Sequence, residues 1–465
     1  MKKRSLILIL ILAACYSYGQ APSVPAPTAK EPSDSRSHEA DTIEQTQEVL
    51  AYGIQDEILN ALAHLEQDQF EALQSDLQTL FTETNSSAIR EALFGLYKKY
   101  ERSDLQEQAL SIIDDYTNVN RTLVQAAISY IAKMPPSNTE SVSSQLQKII
   151  TTEEQNSDYS SACIVALGEI GSPHNAPFLI DYFENFTSDD QYKELYTRQA
   201  IVAALEKIHS ADSWDFLYER AQDETENPHI RASAASGLAQ IGKPDVADVL
   251  TQFFESPEPL LRTAAIKGLA AFNTAETQKL LLQGFKDSYY KVRLEAMQTV
   301  QKTNNTQAAA YVLYRAKSDP VEEVRLAAVE TLALLNTPEG NTWLSETFKD
   351  SKKSEKMRAA VLRAVLNHNA AVVAQDLDSV IIPLVSDARQ KKLRYEFGKA
   401  LSKAETSATA ALCEAYLQSD DALTKSIGLD MFKTNRYAQV KPIVEAIAQD
   451  EKQGALQRRA QQLIK

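Results

Sequence analysis

An all-α fold of stacked antiparallel helix pairs is the class this sequence predicts, and three observations carry it. A short phrase recurs at a period in the thirties over about four fifths of the 465 residues. Within each copy the apolar residues recur at helical spacing, and helix start and stop residues fall in phase with them. A fixed period of that length is the mark of a solenoid, whose units bury their apolar faces only against their neighbours.

The clearest copy runs from Asp319 to Leu332, with Arg325 one turn into the expected helix. With Arg325 as register mark, the same position is filled by Arg198, Arg231, Arg262, Arg293, Arg358 and Arg394, and nearer the start by Arg90 and Arg121. Successive marks lie 31 to 36 residues apart, except for a 77-residue interval after Arg121 that holds a copy marked by Ser160. In the Arg231 copy Ile230, Ala234, Ala235, Leu238 and Ile241 form one stripe on a helix of 3.6 residues per turn, and Val324, Ala328, Val329, Leu332 and Leu335 repeat it. The small residue three places after the mark (Ala234, Ala265, Ala296, Ala328) lets a neighbouring helix approach closely, so a large side chain there would overpack.

Capping residues agree with this frame. Asn227-Pro228, Ser256-Pro257 and Asp319-Pro320 read as an N-cap acceptor before a proline at the first helical position. Eleven residues after a mark stand Gly171, Gly242, Asn273, Asn304, Asn336 and Asn369, the two residue types that best tolerate the left-handed conformation ending a helix. Agreement between caps and stripe is stronger evidence than either alone.

The rest of the chain falls into segments around this array. Residues 1–19 read as an export signal: Lys2, Lys3 and Arg4 precede an apolar run, Leu6 to Leu12, too short to span a bilayer. Two processing readings stay open. Leu12-Ala13-Ala14-Cys15 resembles a bacterial lipobox, in which Cys15 would be lipidated and become the new N-terminus; alternatively an ordinary signal peptidase cuts after Ser17-Tyr18-Gly19. Residues 20–40, rich in Pro and Ser, read as a flexible tether. Residues 41–84 show helical spacing, such as Ile54, Ile58, Leu62 and Leu65, and read as two or three capping helices; residues 85–465 are the array. At its end a last pair contains Lys425, Leu429 and Phe432, and Leu456 to Ile464 reads as half a unit.

Composition narrows the function. The 13 glycines are about half of average usage, as suits a nearly all-helical chain. Net charge is −15, or −18 without the three cations of the leader, which argues against nucleic acid or anionic lipid as the general partner. Cys163 and Cys413 lie about seven repeats apart, too far to bridge, and are expected as buried free thiols.

The phrase D-P-x-x-x-V-R-x-x-A-x-x-x-L, closed by Gly or Asn, resembles a HEAT repeat, and the period near 31 is similar to the short HEAT-like variety of phycobilisome lyases. Ordinary HEAT units run to about 40 residues. Tetratricopeptide and ankyrin signatures are absent. The resemblance covers residues 85–465 and implies a right-handed, ARM-type α-solenoid. It further implies that the marked arginines bond an aspartate or a backbone carbonyl of the adjacent unit; Asp287, Asp319, Asp350 and Asp387 lie six to eight residues before a mark.

Catalytic patterns are poor. The six histidines are scattered, no paired Cys-x-x-Cys or His-Glu-x-x-His occurs, and Leu167 to Gly171 is a helix end rather than a phosphate loop, so neither cofactor nor metal is expected. The resemblance instead implies that the second helices line a concave surface. Positions five and nine after the mark would then face a ligand: Lys267, Gln298, Glu330, Arg363 and Lys399, with Gln240, Lys302, Asn367 and Lys403. These place a basic strip on an acidic protein, suited to an acidic protein segment. Tyr289, Tyr290, Tyr311 and Tyr314 form a second candidate surface.

The sequence thus predicts an exported, periplasmic or outer-membrane-associated, monomeric scaffold that binds envelope proteins and catalyses nothing. An enzyme, lyase-like by family name, and an envelope spacer without ligand are the alternatives. Mass spectrometry of the mature N-terminus separates the processing readings: a lipid-modified Cys15 start is expected of an anchored protein, and an unmodified Gln20 start contradicts the anchor.

Overall fold

The computed structural model describes residues 35–152, 157–272 and 274–464. The leader, Cys15, most of the tether and Asn273 lie outside the described residues. The chain opens with α1 (Ser35–Tyr52), α2 (Gln55–His64), α3 (Gln67–Ala72), α4 (Gln74–Glu83), α5 (Ser87–Lys99), α6 (Gln106–Asp114), α7 (Arg121–Lys133), α8 (Thr139–Thr152) and α9 (Ser157–Ile170). It continues through α10 (Asn175–Asn185), α11 (Gln191–Ile208), α12 (Trp214–Gln222), α13 (Pro228–Ile241), α14 (Val246–Glu255), α15 (Pro259–Gly268), α16 (Ala275–Gly284), α17 (Tyr290–Thr303) and α18 (Ala309–Ser318). The last third is α19 (Glu322–Leu335), α20 (Pro338–Lys349), α21 (Glu355–His368), α22 (Leu377–Ser386), α23 (Lys391–Leu401), α24 (Ala410–Leu417), α25 (Ala422–Asn435), α26 (Lys441–Gln449) and α27 (Ala455–Ile464). Among the described residues there is no strand.

From α4 onward each even helix pairs with the odd helix after it. Odd packs on odd without interruption from α5 to α27, whereas neighbouring even helices meet closely at fewer steps. The odd layer is therefore the tight inner one and the even layer the splayed outer one. The stripe explains the difference: Ala234, Ala265, Ala296 and Ala328 are fully buried, and a Cβ added at Gly168 of α9 would lie 2.7 Å from the Ala204 Cα of α11. Small side chains let the odd helices close up. One continuous apolar core results, from Leu50 to Ala460.

Helix ends obey a stricter rule than composition suggests. The position eleven after the mark is left-handed at Glu101, Gly171, His209, Gly242, Asn304, Asn336 and Arg436, with φ between 47° and 81°. Six of these amides, at Gly171, His209, Gly242, Asn304, Asn336 and Arg436, donate to the carbonyl of the residue seven after the mark, which pins the end of the helix. Glu101, His209 and Arg436 show that the geometry is imposed by stacking even where the residue type resists it. Asn369 departs from the expectation: its φ is −156°, an extended conformation, because a 3-10 turn (Ala370–Val372) follows α21.

Several starts and boundaries also differ from the sequence reading. Asn227 caps α13 through its side chain, as expected, but α15 begins at Pro259 after Glu258, and α19 at Glu322 after Val321. Ser256 and Asp319 sit two residues earlier and close the preceding turn, accepting from the amides of Glu258 and Val321. Arg121 is the exposed first residue of α7, and the mark in that unit is the buried Val124, four residues past the N-cap Asn120. Helix α1 already starts at Ser35, so residues 35–40 are helical rather than tether, and four helices precede α5. Finally, Leu456 to Ile464 is no half unit: it lies in α27, which pairs fully with α26.

Candidate interaction surface

The marked arginines come first because a ladder of like charges is the most conspicuous feature of the chain. Each guanidinium points into the turn between the two helices of its own unit. Arg90, Arg231 and Arg358 donate through Nε to the carbonyls of Phe81, Ala221 and Phe348, and Arg394 through Nη1 to those of Leu384 and Val385. These acceptors lie in the last turn of the even helix, where carbonyls have no intrahelical donor and a cation is favoured. Arg325 likewise holds the carbonyls of Asp319 and Pro320. Arg198 pairs with Glu194 and lies over the Phe183 ring at 5.1 Å. The carbonyl acceptors belong to the arginine's own unit, not to the adjacent one.

Two arginines also reach across to the next unit. Arg262 grips Asp287 with Nε and Nη2 at 2.7 and 3.0 Å, and Arg293 grips Asp319 at 2.8 and 2.7 Å. Each aspartate first closes its own turn, accepting from the amide two residues on. A bidentate bond between flat groups fixes both distance and angle between units. The Arg293–Asp319 pair is buried, with side chains 5% and 0% exposed. Burial alone would raise the Asp319 pKa; the Arg293 hydrogen bond, the Val321 amide and the charges of Arg293 and Arg315 outweigh it and hold the carboxyl below its usual range. Asp350 and Asp387 close their own turns, accepting from the amides of Lys352 and Arg389, and Asp387 also holds the Arg389 guanidinium two residues on; neither takes a marked arginine of the preceding unit. At the next clasp position Asp421 takes the Tyr395 hydroxyl at 2.7 Å and Lys391 at 2.9 Å, with Arg394 at 3.7 Å.

The exposed side of the odd helices is the inner face. Lys267 lies on α15, Gln298 and Lys302 on α17, Glu330 on α19, Arg363 and Asn367 on α21, Lys399 on α23 and Gln240 on α13; all are exposed except Glu330, which is half-buried. Lys403 lies in the turn beyond α23. The basic strip expected here is partly neutralised. Lys267 is held at 2.7 Å by Glu206, which also accepts from Ser236 of the helix between them; Lys399 lies 3.2 Å from Glu396, and Glu330 accepts from His368. Lys302, Arg363 and Lys403 make no ion pair among the described residues. Bonds such as Lys98 to Ser129 at 2.8 Å and Lys207 to Glu169 continue this polar lacing toward the N-terminus.

A groove on the same face between α5, α7 and α9 was not foreseen from the repeat pattern. It is an open cavity of about 610 Å3 whose floor is apolar, with Ile128, Ala162 and a 49% exposed Val165, and whose rim carries Lys98, Lys133 and Glu169. Val165 stands five after Ser160, a ligand-facing position by the repeat's own arithmetic, but the irregular spacing of that unit hides it. Among the described residues no three His, Cys, Asp or Glu side chains gather as a metal site, and no helix is long and apolar enough to cross a membrane. Cys163 and Cys413 are buried and not in disulfides; burial pushes the Cys413 thiol up to about 12.

Stacked helix pairs, clasped through their turns and leaving a continuous inner face, define an α-solenoid of the HEAT class. The profile described as spirochaete HEAT repeat protein matches residues 50–463, and the chain belongs to that family. The match begins ahead of α5, in keeping with the packing of α2 on α5. No curated protein matches the sequence. Among solved structures the chain is similar to the karyopherin Kap121p bound to the extreme C-terminus of the protein phosphatase Cdc14p, at 11% identity and a TM-score of 0.42 over 91% of this chain and 53% of that one. Kap121p bound to RanGTP gives 11%, 0.38, 92% and 53%, and human deoxyhypusine hydroxylase in complex with glycerol gives 14%, 0.26, 57% and 98%. This chain thus spans about half the length of the karyopherin it matches.

The clasp makes a prediction with a definite pH sign. Arg293→Ala leaves the buried Asp319 with only Arg315 at 3.4 Å in place of its bidentate partner, and should lower the unfolding free energy by about 3 kcal/mol in urea at pH 7. Arg325→Ala, which removes bonds to carbonyls only, should cost about 1–3 kcal/mol. The folded pKa of Asp319 lies below its ordinary value of 3.8, so the pair's contribution is complete above that value and is lost as pH falls below it. The gap between wild type and Arg293→Ala should therefore be greatest near neutral pH and narrow in acid as Asp319 is protonated, first in the variant, where burial is no longer offset by Arg293, and then in the wild type. Full stability of Arg293→Ala would contradict the structural role.

Proposed function

We propose that this chain is an exported, lipid-tethered scaffold that holds a protein partner of the cell envelope against its inner face and catalyses no reaction. The observation that carries the reading is the groove between α5, α7 and α9. An apolar floor with a half-exposed valine and a charged rim is how a protein-recognition patch is built. The inner face continues past it through Lys302, Arg363 and Lys403, cations in no close ion pair among the described residues, which suits an extended acidic segment of the same partner. A solenoid is matched to that task because its face lengthens with each added unit while its core does not change. The Lys2 to Cys15 pattern supports export and anchoring.

The test is photo-crosslinking in intact cells from a reactive side chain placed at Val165 or at Lys302, with Gln252 on the outer face of α14 as control. One dominant protein adduct, shared by Val165 and Lys302 and absent from Gln252, is expected. Equal, heterogeneous labelling from all three positions would favour a spacer without a specific partner.

A further inference from the structure

The outer face carries a second site that the inner-face reading does not use. Between the outer helices α16 and α18 run two adjoining cavities of about 620 and 280 Å3, which share Lys286 and Tyr311. Lys279 and Leu282 line the larger, and Tyr314 and Arg315 the smaller. No carboxylate is among the described residues lining either cavity. That is an exception on a chain with 63 acidic and 48 basic residues. The flanking outer helices are acidic where they are exposed, with Asp248 and Glu255 on α14 and Glu339 and Glu346 on α20. The groove is thus a cationic island in an acidic surface.

Arg315 is anchored from inside, with Nη1 3.4 Å from the buried Asp319 carboxylate, so the charge left for a ligand is that of the two lysines. Arg315 is fixed by its Nε bond to the Phe285 carbonyl at 2.7 Å and lies over the Tyr314 ring at 5.3 Å. The Lys286 ammonium lies 5.5 Å from the Tyr311 ring centroid, and Tyr311 rests against Phe285, which is fully buried. Tyr314 is nevertheless 60% exposed, a large aromatic surface left to water. Lys279 and Lys286 make no ion pair among the described residues. The sequence pattern singled out Tyr311 and Tyr314 together with Tyr289 and Tyr290; the structure separates them, since Tyr289 and Tyr290 pack on each other at 5.4 Å at the start of α17 and line neither cavity.

We propose that this groove docks an acidic peptide segment bearing an aromatic residue. The carboxylates pair with Lys279 and Lys286, and the ring enters the smaller cavity against Tyr311 and Tyr314, where face or edge contacts between rings add to the burial. Dimensions agree: the ten residues of α16 span about 15 Å, the length of roughly five extended residues. A nucleic-acid strand also has anionic and aromatic groups, but it would run from the two lysines onto the acidic flanks of α14 and α20, where its phosphates are repelled. A short peptide ends before them.

The test is fluorescence anisotropy of the full chain with a labelled peptide, Glu-Asp-Glu-Trp-Glu-Asp-Glu. Comparison probes are the same peptide with lysine for every acid, the same peptide with glycine for tryptophan, and a twelve-nucleotide oligothymidylate. Saturable binding of the first peptide alone is expected. It should weaken at least tenfold in Lys279→Glu/Lys286→Glu and at least threefold in Tyr314→Ala. The inner-face variant Lys302→Glu/Arg363→Glu should bind as wild type does, which separates this proposal from the inner-face reading. Unchanged thermal midpoints establish that the variants are folded, and Lys279→Gln/Lys286→Gln replaces the charge reversal if it is not. Absence of saturable binding, insensitivity to the groove variants, or preference for the oligonucleotide would overturn the proposal.

Discussion

No helix pair in this chain can bury its apolar face alone, and that constraint shapes everything else. Each odd helix must lie between two others like it, so the positions that touch neighbours are small or aliphatic and the approach is as close as Gly168 against Ala204. Stability of such a stack is a sum over units and interfaces. The interfaces therefore need devices that fix orientation as well as adhesion, because an apolar face can slide.

The turn arginines supply orientation. In every unit where the arginine's bonds run to carbonyls, it ties the end of the outer helix to the start of the inner one and sets the angle within the pair. At Arg262–Asp287 and Arg293–Asp319 the same guanidinium also takes the turn aspartate of the next unit, so that two successive joints around α15, α17 and α19 are bolted at both levels. Asp421 makes a further joint through Tyr395 and Lys391, and Arg459 bonds Asp430 between α27 and α25, but neither is a bidentate clasp from a turn arginine. Other units are held by burial and by looser contacts such as Arg231 over Phe253 at 5.3 Å. The two bidentate joints are expected to make the middle of the stack stiffer than its ends. The two grooves proposed for docking lie apart along the stack, the apolar inner one at α5 to α9 and the cationic outer one at α16 to α18, beside the bolted joints.

The architecture was legible in the sequence because repetition multiplies a weak local signal. One marked arginine proves little, but seven in register determine the pairing, the buried stripe and the face left to solvent. What was illegible depends on geometry between units. The pattern read Arg121 as a mark because arginine stood near the expected place, whereas burial decides the register and Val124 is the buried residue. It sought Gly or Asn at helix ends, whereas stacking forces His209 and Arg436 into the same left-handed turn. It counted lysines on the inner face without their partners, and Glu206, two units away from Lys267, cancels one of them. The outer groove was legible only as Tyr311 and Tyr314, without the lysines beside them, because the outer helices carry no repeated phrase and no arithmetic says which of their residues meet.

Native-state hydrogen exchange tests the central claim most directly, since it reads the opening free energy of each helix in the intact chain. The account predicts that amide protection peaks in α15, α17 and α19, around the two bolted joints, and falls in steps toward α5 and α27. Uniform protection from end to end, or a minimum in the α15 to α19 segment, would contradict it.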